Sequence, residues 1–491
     1  MTALASSTGL GLLGILVGLG LLVWFAYRGW SVLLLAPAGA LVAALFAGEP
    51  LLAHWTQTFM GAGARFFAQF FPLFLLGALF GKLMDDSGSV RAIAKAVTAR
   101  LGRHRAVPAV VLSGAVVTYG GVSLFVAFFV LAPMAHALFR QADVPRRLMP
   151  AAIALGASTF TMSALPGTPA LQNAIPMPFF GTTPFAAPGL GLIASAIMLA
   201  FGLWWLGRRE AAARRAGEGY GPAPDARDVA GDPRLRELAT TAREFDPAEA
   251  RHGHRSETSP PLRVAALPIA VVALVNLGMT LAVLPRLDAA FLAEERWGRT
   301  TLTAVGGVWS VAVALIAGIV VLVLLNRSRL PALRDSMDAG VNASALPAVT
   351  IASLVGFGAV VAAMPAFGVV REWMLSIGGS PLVSLSVATN VLAALTGSAT
   401  GGLTIALDAL GETYLRLAHE QGISPALLHR VAVVGAGTLD GLPHNGAVVT
   451  LLVLCGATHK EGYFDIVMVG IVGALIALVV LITLGSTLGS F

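Results

Sequence analysis

The sequence predicts an all-α polytopic membrane protein made of two inverted repeats, and three observations carry that expectation. The 491-residue chain is 56% hydrophobic and 12% charged, with a mean hydropathy of +0.80. Ordinary soluble domains carry about 25% charged residues. Apolar runs at 10–27, 190–206, 265–284, 303–325 and 466–484 are long enough to cross ~30 Å of hydrocarbon, and they set aside the alternative of buried helices in a large soluble core. The two halves also read as copies. Y-G-G-V-S-L at 119–124 and A-L-P-G-T-P-A at 164–170 answer T-G-G-L-T-I at 400–405 and G-L-P-H-N-G-A at 441–447. Between them P-R-R-L-M answers P-A-L-L-H, and G-A-S-T at 156–159 answers G-A-G-T at 435–438. A duplicated apolar unit broken by Gly and Pro is the pattern of a secondary transporter.

The elements follow in order. Residues 1–206 form the first repeat, with apolar segments near 9–27, 31–47 and 62–83, a basic amphipathic stretch to about 105, a pair at 107–138 broken at Gly120-Gly121, a segment 147–180 interrupted at 166–169, and 188–206. Residues 207–262 mix Arg, Asp, Glu, Gly and Pro, cannot bury a core, and read as a partly disordered cytoplasmic linker. Residues 263–491 repeat the order, with a pair at 381–416 broken at Gly401-Gly402 and a segment 426–457 interrupted at 443–446. The expected count is about ten spanning helices, two re-entrant hairpins and two broken helices.

Charge sets the orientation. The stretch after the third segment carries Lys82, Arg91, Lys95, Arg100, Arg103 and Arg105, whereas its counterpart carries only Arg371. By the positive-inside rule the first is cytoplasmic and the second external, so the copies are inverted. The net charge of +6 belongs to this loop asymmetry and does not point to nucleic acid. The single cysteine, Cys455, excludes an internal disulfide and reads as a small packing residue. No cysteine cluster, Walker loop, H-E-x-x-H or catalytic triad is present, so neither a metal, a cofactor nor an enzyme activity is expected.

Backbone at membrane depth must be hydrogen-bonded or line a polar cavity. Helix halves that stop there aim their N-terminal amides at the break, which suits an anion. The expected substrate-binding groups in the first repeat are Tyr119, Gly120, Gly121, Ser123, Thr159, Gly167, Thr168 and Asn173. In the second they are Thr400, Gly401, Gly402, Thr404, Thr438, Asn445 and Gly446, with Ser398 beside them. A lone Gly or Pro is equally an ordinary kink, but the matched pairs favour a site. Asp440 and His444 are ionisable residues in the second break and are expected to couple proton uptake. The plainer alternative has His444 capping carbonyls and Asp440 bonding a hydroxyl. Asp408 is a weaker candidate near the external interface.

The motif L-G-A-L-F-G-K-L-M-D-D-S-G at 76–88, R-A-I-A-K-A-V at 91–97, L-P-G-T-P-A-L-Q-N at 165–173 with G-T-T-P-F-A-A-P downstream, and G-A-G-T-L-D-G-L-P-H-N-G-A at 435–447 resemble the gluconate:proton symporter family of the ion-transporter superfamily. The resemblance covers nearly the whole chain outside the linker. It implies a bacterial-type cytoplasmic membrane protein, a scaffold that makes a homodimer, elevator-type movement, and proton-driven uptake of sugar acids or short hydroxy acids. Gluconate-type members carry an Asp in the first hairpin, where this chain has Phe125-Val126-Ala127, and a His in the first break, where it has Leu165-Pro166-Gly167. That departure implies a smaller substrate, such as a short hydroxy- or keto-carboxylate. Sodium coupling at the hydroxyl-rich 398–400 segment and ion antiport without an organic substrate are the competing readings.

Overall fold

The computed structural model describes residues 2–28, 30–102, 105–122, 124–221, 253–443 and 445–491. Among these, every regular element is a helix. The first half comprises α1 (Thr2–Tyr27), α2 (Val32–Ala47), α3 (Met60–Asp86), α4 (Ser89–Leu101), α5 (Ala106–Tyr119), α6 (Leu124–Gln141), α7 (Met149–Ala157) and α8 (Pro188–Arg215). The second comprises α9 (Leu262–Gly278), α10 (Leu302–Asn326), α11 (Leu333–Ala363), α12 (Phe367–Ser376), α13 (Pro381–Thr396), α14 (Ala399–Glu420), α15 (Pro425–Thr438), α16 (Gly446–Leu454), α17 (His459–Ile466) and α18 (Gly473–Leu488). The order of long, amphipathic, paired and broken elements is the same in both halves.

Seven helical stretches are long and apolar enough to cross a membrane: 8–26, 51–86, 188–215, 262–286, 302–329, 333–363 and 459–488. The expected ten is not reached among the described residues. Helix α2 stops after 16 residues, and the two broken segments divide into shorter pieces.

Helices α3 and α11, the third of each half, make the most extensive contact in the molecule. Small residues let them approach: a Cβ on Gly340 would lie 3.0 Å from the Leu79 backbone. The pair α1–α2 leans on α11, and α10, partner of α9, leans on α3. A second group contains the hairpin pairs and broken helices. There α7 packs on α5, and α15 packs on α13. The duplicated G-A-x-T motifs explain both contacts. Gly156 lies against the Val111 carbonyl of α5, and Gly435 lies against Ser386 and Thr389 of α13.

Local sequence stops and starts these helices. Ser380 and Ser424 accept N–H bonds from Leu382 and Ala426, each ahead of a Pro at the first helical position. The first hairpin pair reverses at Gly120-Gly121, as expected, with Gly121 at φ 92°. The second does not reverse at Gly401-Gly402. Its turn is at Gly397 (φ 65°) and Ser398, whose hydroxyl caps α14 by accepting from the Gly401 N–H. Gly401 and Gly402 lie in the first helical turn because this serine cap starts the helix earlier. Gly402 allows α14 to meet the Ala393 backbone of α13.

The polar stretch also begins later than its composition suggests. The run R-R-E-A-A-A-R-R continues α8 to Arg215, since Ala, Arg and Glu are strong helix formers. Beyond it, Glu218 accepts from Arg147 at 2.7 and 2.8 Å, and the buried Tyr220 hydroxyl meets His136 Nδ1 at 2.6 Å. The hydrogen bonds from Arg147 hold the Glu218 carboxyl below the usual glutamate range. Residues 222–252 of the expected linker lie outside the described residues.

Candidate functional site

The first break follows from its prolines. After α7 the chain makes a short turn at Phe160–Ser163, loses helical pairing through Pro166 and Pro169, and resumes at Leu171–Ala174. Gly167, at φ 78°, donates its N–H to the Pro184 carbonyl at 2.9 Å. The carbonyls freed by the break must find donors, and four of them take one from a side chain. Pro166 O accepts from Tyr119 Oη at 3.1 Å. Gly167 O accepts from Asn276 Nδ2 of α9 at 3.0 Å. Thr168 O accepts from Asn173 Nδ2 at 3.0 Å, and Ser163 O accepts from Arg430 Nη1 at 3.2 Å.

Arg430 is fully buried. Its Nε and Nη2 donate to the Ala186 carbonyl at 3.1 and 2.7 Å, and Nη1 also reaches Asn173 Oδ1 at 3.2 Å. His429, equally buried, places Nδ1 2.7 Å from Thr182 Oγ1 and Nε2 3.2 Å from Asn173 Oδ1. A helix of the second half thus supplies the polar groups that hold the first break open.

Beside this break is a cavity of about 170 Å³. Its wall includes Gly121 and Val122 at the first hairpin turn, Leu124 at the start of α6, Pro169–Gln172 after the break, and Thr400 at the start of α14. The opposite wall comes from α3 and α11 through Phe74, Gly77, Ser344 and Pro347. Gln172 Nε2 donates to Thr400 Oγ1 at 3.1 Å, joining the first break to the second hairpin. Lys82 and Asp85 also line the cavity. The buried Lys82 pairs with Asp86 at 3.0 Å, and Asp85 pairs at 2.8 Å with Arg255, a further lining residue.

The second break is organised on Asp440. One carboxylate oxygen accepts from the Ala399 N–H, at the start of α14, and from Asn445 Nδ2, both at 2.8 Å. Such a free N-terminal amide favours a carboxylate. Asn445 Nδ2 also donates to the Gly397 carbonyl at 2.9 Å, while its Oδ1 caps α16 through the Ala447 N–H at 2.7 Å. A pocket of about 30 Å³ adjoins this node, lined by Ser158, Thr159, Asp440 and Asn445.

The residues expected from sequence therefore divide. Gly121 and Thr400 reach the larger cavity, with Gly120 packed beside it against Ile269. Thr159, Asp440 and Asn445 meet at the smaller one, and Gly446 begins the helix that Asn445 caps. Tyr119, Gly167, Thr168 and Asn173 maintain the first break. Thr404 and Thr438 bond to the carbonyls of Thr400 and Val434 on their own helices. Gly402 serves hairpin packing, and Gly401 faces Leu354 of α11. Asp408 is exposed, away from both cavities. Ser123 and His444 lie outside the described residues. Sequence reading missed Arg430, His429, Gln172, Asp85 and Arg255, and saw Lys82 only as an orienting charge. A signal was present: H-R interrupts an apolar run, and K-x-x-D-D does the same at the end of α3. Among the described residues no group of three His, Cys, Asp or Glu could hold a metal ion.

The GntP family permease model matches residues 10–177. A Bacillus subtilis (strain 168) protein, the uncharacterized transporter YxjC, is 40% identical over 466 residues, which cover 92% of this chain and 94% of the relative. The solved structure of Neisseria gonorrhoeae MtrF, reported as illuminating a class of antimetabolite efflux pumps, superposes with a TM-score of 0.53. The match covers 88% of this chain and 84% of that one at 14% identity, a likeness of fold. The apolar helices, the paired breaks and this near full-length relationship make the chain a multi-pass membrane transporter, and it belongs to the GntP permease family.

Proposed function

We propose that this protein carries a small organic anion across the bacterial cytoplasmic membrane by proton symport. The observation that carries the reading is the cavity of about 170 Å³ where the first break meets the starts of α6 and α14. Amides at the start of α6, the Thr400 hydroxyl and the Lys82 ammonium suit a carboxylate with a hydroxyl or keto group. The lack of an Asp in the first hairpin and of a His in the first break, where gluconate-type members carry them, favours a short acid over a six-carbon sugar acid.

In this reading the halves are inverted repeats. Segments 107–180 and 381–457 form a transport body that slides, elevator-fashion, on a dimeric scaffold built around α3 and α11. The grouped packing and the matched Gly156 and Gly435 contacts support it. Asp440 is the coupling group. It joins the second hairpin to the second break, so a proton arriving on its carboxylate weakens both contacts together. Sodium is the second reading, favoured by the pocket of about 30 Å³ with carboxylate and hydroxyl oxygens in its wall.

The test is uptake into proteoliposomes of gluconate and a panel of short hydroxy- and keto-carboxylates, under an imposed pH gradient and then a sodium gradient. A short acid should accumulate with the pH gradient, and Asp440→Asn should reduce that accumulation about tenfold or more. Accumulation that follows sodium alone moves coupling to the smaller pocket. A proton flux indifferent to every acid replaces symport with ion antiport.

A further inference from the structure

The far end of the polar stretch, residues 253–258, is docked on the cavity. Arg255 Nε and Nη2 hold the Asp85 carboxylate at 3.0 and 2.8 Å. Ser256 N–H donates to the Asp86 carbonyl at 2.8 Å, and the Ser256 carbonyl accepts from Arg91 of α4. The Ser256 hydroxyl closes a turn on Thr258 O at 2.9 Å. Gly253, at φ 87°, presses against Asp86, Lys82 and Ser336, and a Cβ there would meet all three. On the other side Gly88 faces the Thr258 carbonyl, from which a Cβ would stand 2.9 Å.

These contacts span three helices, α3, α4 and α11, and one charged cluster. The segment has no helix of its own to stabilise it, and among the described residues its one side-chain ion pair is half in solvent: Arg255 is 47% exposed where Asp85 is 5% exposed. Backbone seated this way is held by few contacts and opens at low cost. Asp86 Oδ2 and Ser336 Oγ are buried beside Gly253 without a partner among the described residues, so the seated form leaves polar groups that water would satisfy on opening.

The geometry points to a strap: residues 253–258 form a movable wall of the cavity, latched by Arg255 on Asp85, and its release opens the cavity at the Lys82–Asp86 end. The Arg255 guanidinium is then free to attract an anion toward the mouth. The inference rests on the cavity being the transport site, but its test needs no substrate.

Ala78 lines the cavity and is part-buried. Ala78→Cys in a Cys455→Ala background, reconstituted in proteoliposomes, is labelled with a membrane-impermeant maleimide. Arg255→Gln and Asp85→Asn should each raise the labelling rate about fivefold or more. Gly253→Val leaves both charges in place but cannot seat, and it should do the same. Exchanging the charges, Arg255→Asp with Asp85→Arg, should restore slow labelling. Thermal unfolding of each variant confirms that it is folded. Equal rates in all folded variants overturn the strap, whatever is transported. Faster labelling without uptake of any carboxylate upholds the strap and overturns the substrate reading instead.

Discussion

At the residue scale, Arg430 is the side chain with the most to lose. It is a cation buried at 0% exposure whose partners are carbonyl and amide oxygens of the first break. Burying a charge is costly, so removing it recovers some desolvation energy. Against that, Arg430→Met orphans the Ala186 and Ser163 carbonyls and weakens the hold on Asn173 Oδ1. An orphaned buried acceptor costs about 1–3 kcal/mol, and two or three of them outweigh the recovered term. We expect Arg430→Met to lose stability on the order of 3 kcal/mol, read as a lower midpoint of thermal unfolding in detergent. Lys at this position lacks the planar fork that gives Arg430 its four contacts and should rescue little. An unchanged midpoint in both variants would mean that other donors satisfy the break.

At the element scale, the second hairpin depends on how closely α13 and α14 cross. The two adjacent glycines differ sharply there. A Cβ on Gly401 first meets the tip of the Leu354 side chain at 2.7 Å, which can move aside. A Cβ on Gly402 meets the Ala393 and Leu392 backbone, which cannot. Ala is also favoured over Gly inside a helix by about 1 kcal/mol. Gly401→Ala should therefore be nearly neutral, whereas Gly402→Ala should cost about 1–3 kcal/mol of overpacking and separate Thr400 from Gln172. Thermal unfolding and uptake of the two variants, side by side, check this. The reverse order would mean that the arms do not cross where described. The position of the turn itself was not legible from the repeat. Matching Gly120-Gly121 to Gly401-Gly402 is correct as alignment, but a serine three residues before Gly401 caps the helix, and the first copy has Val117 there, inside a helix that is still running.

At the scale of the whole molecule, the two-group architecture and the proposed inversion make a sidedness prediction. Helices α4 and α12 occupy the same place in their halves. Arg100 and Arg371 are both exposed on them. In a Cys455→Ala background, Arg100→Cys should react with an impermeant maleimide only in inside-out vesicles, and Arg371→Cys only in intact cells. Reaction of both from one side would leave the repeats parallel and would remove the basis for alternating movement. The same experiment bears on the strap, because Arg91 in α4 holds the Ser256 carbonyl and so shares its side of the membrane.

Sequence alone determined the class, the repeated order of elements and the places where two helices break. Each is a one-dimensional property: apolar length measures a bilayer, and Pro166, Pro169 and Pro443 remove amides wherever the chain goes. Only the tertiary structure decided what fills the breaks and what is left to bind. The donors that satisfy the first break come from Tyr119, Asn276 and Arg430, and the cavity beside it closes with Lys82 from α3 and Arg255 from the polar stretch. Those pairings join residues far apart in the chain. An orphaned carbonyl requires some donor but does not specify which one, so spacing along the chain carries no record of it.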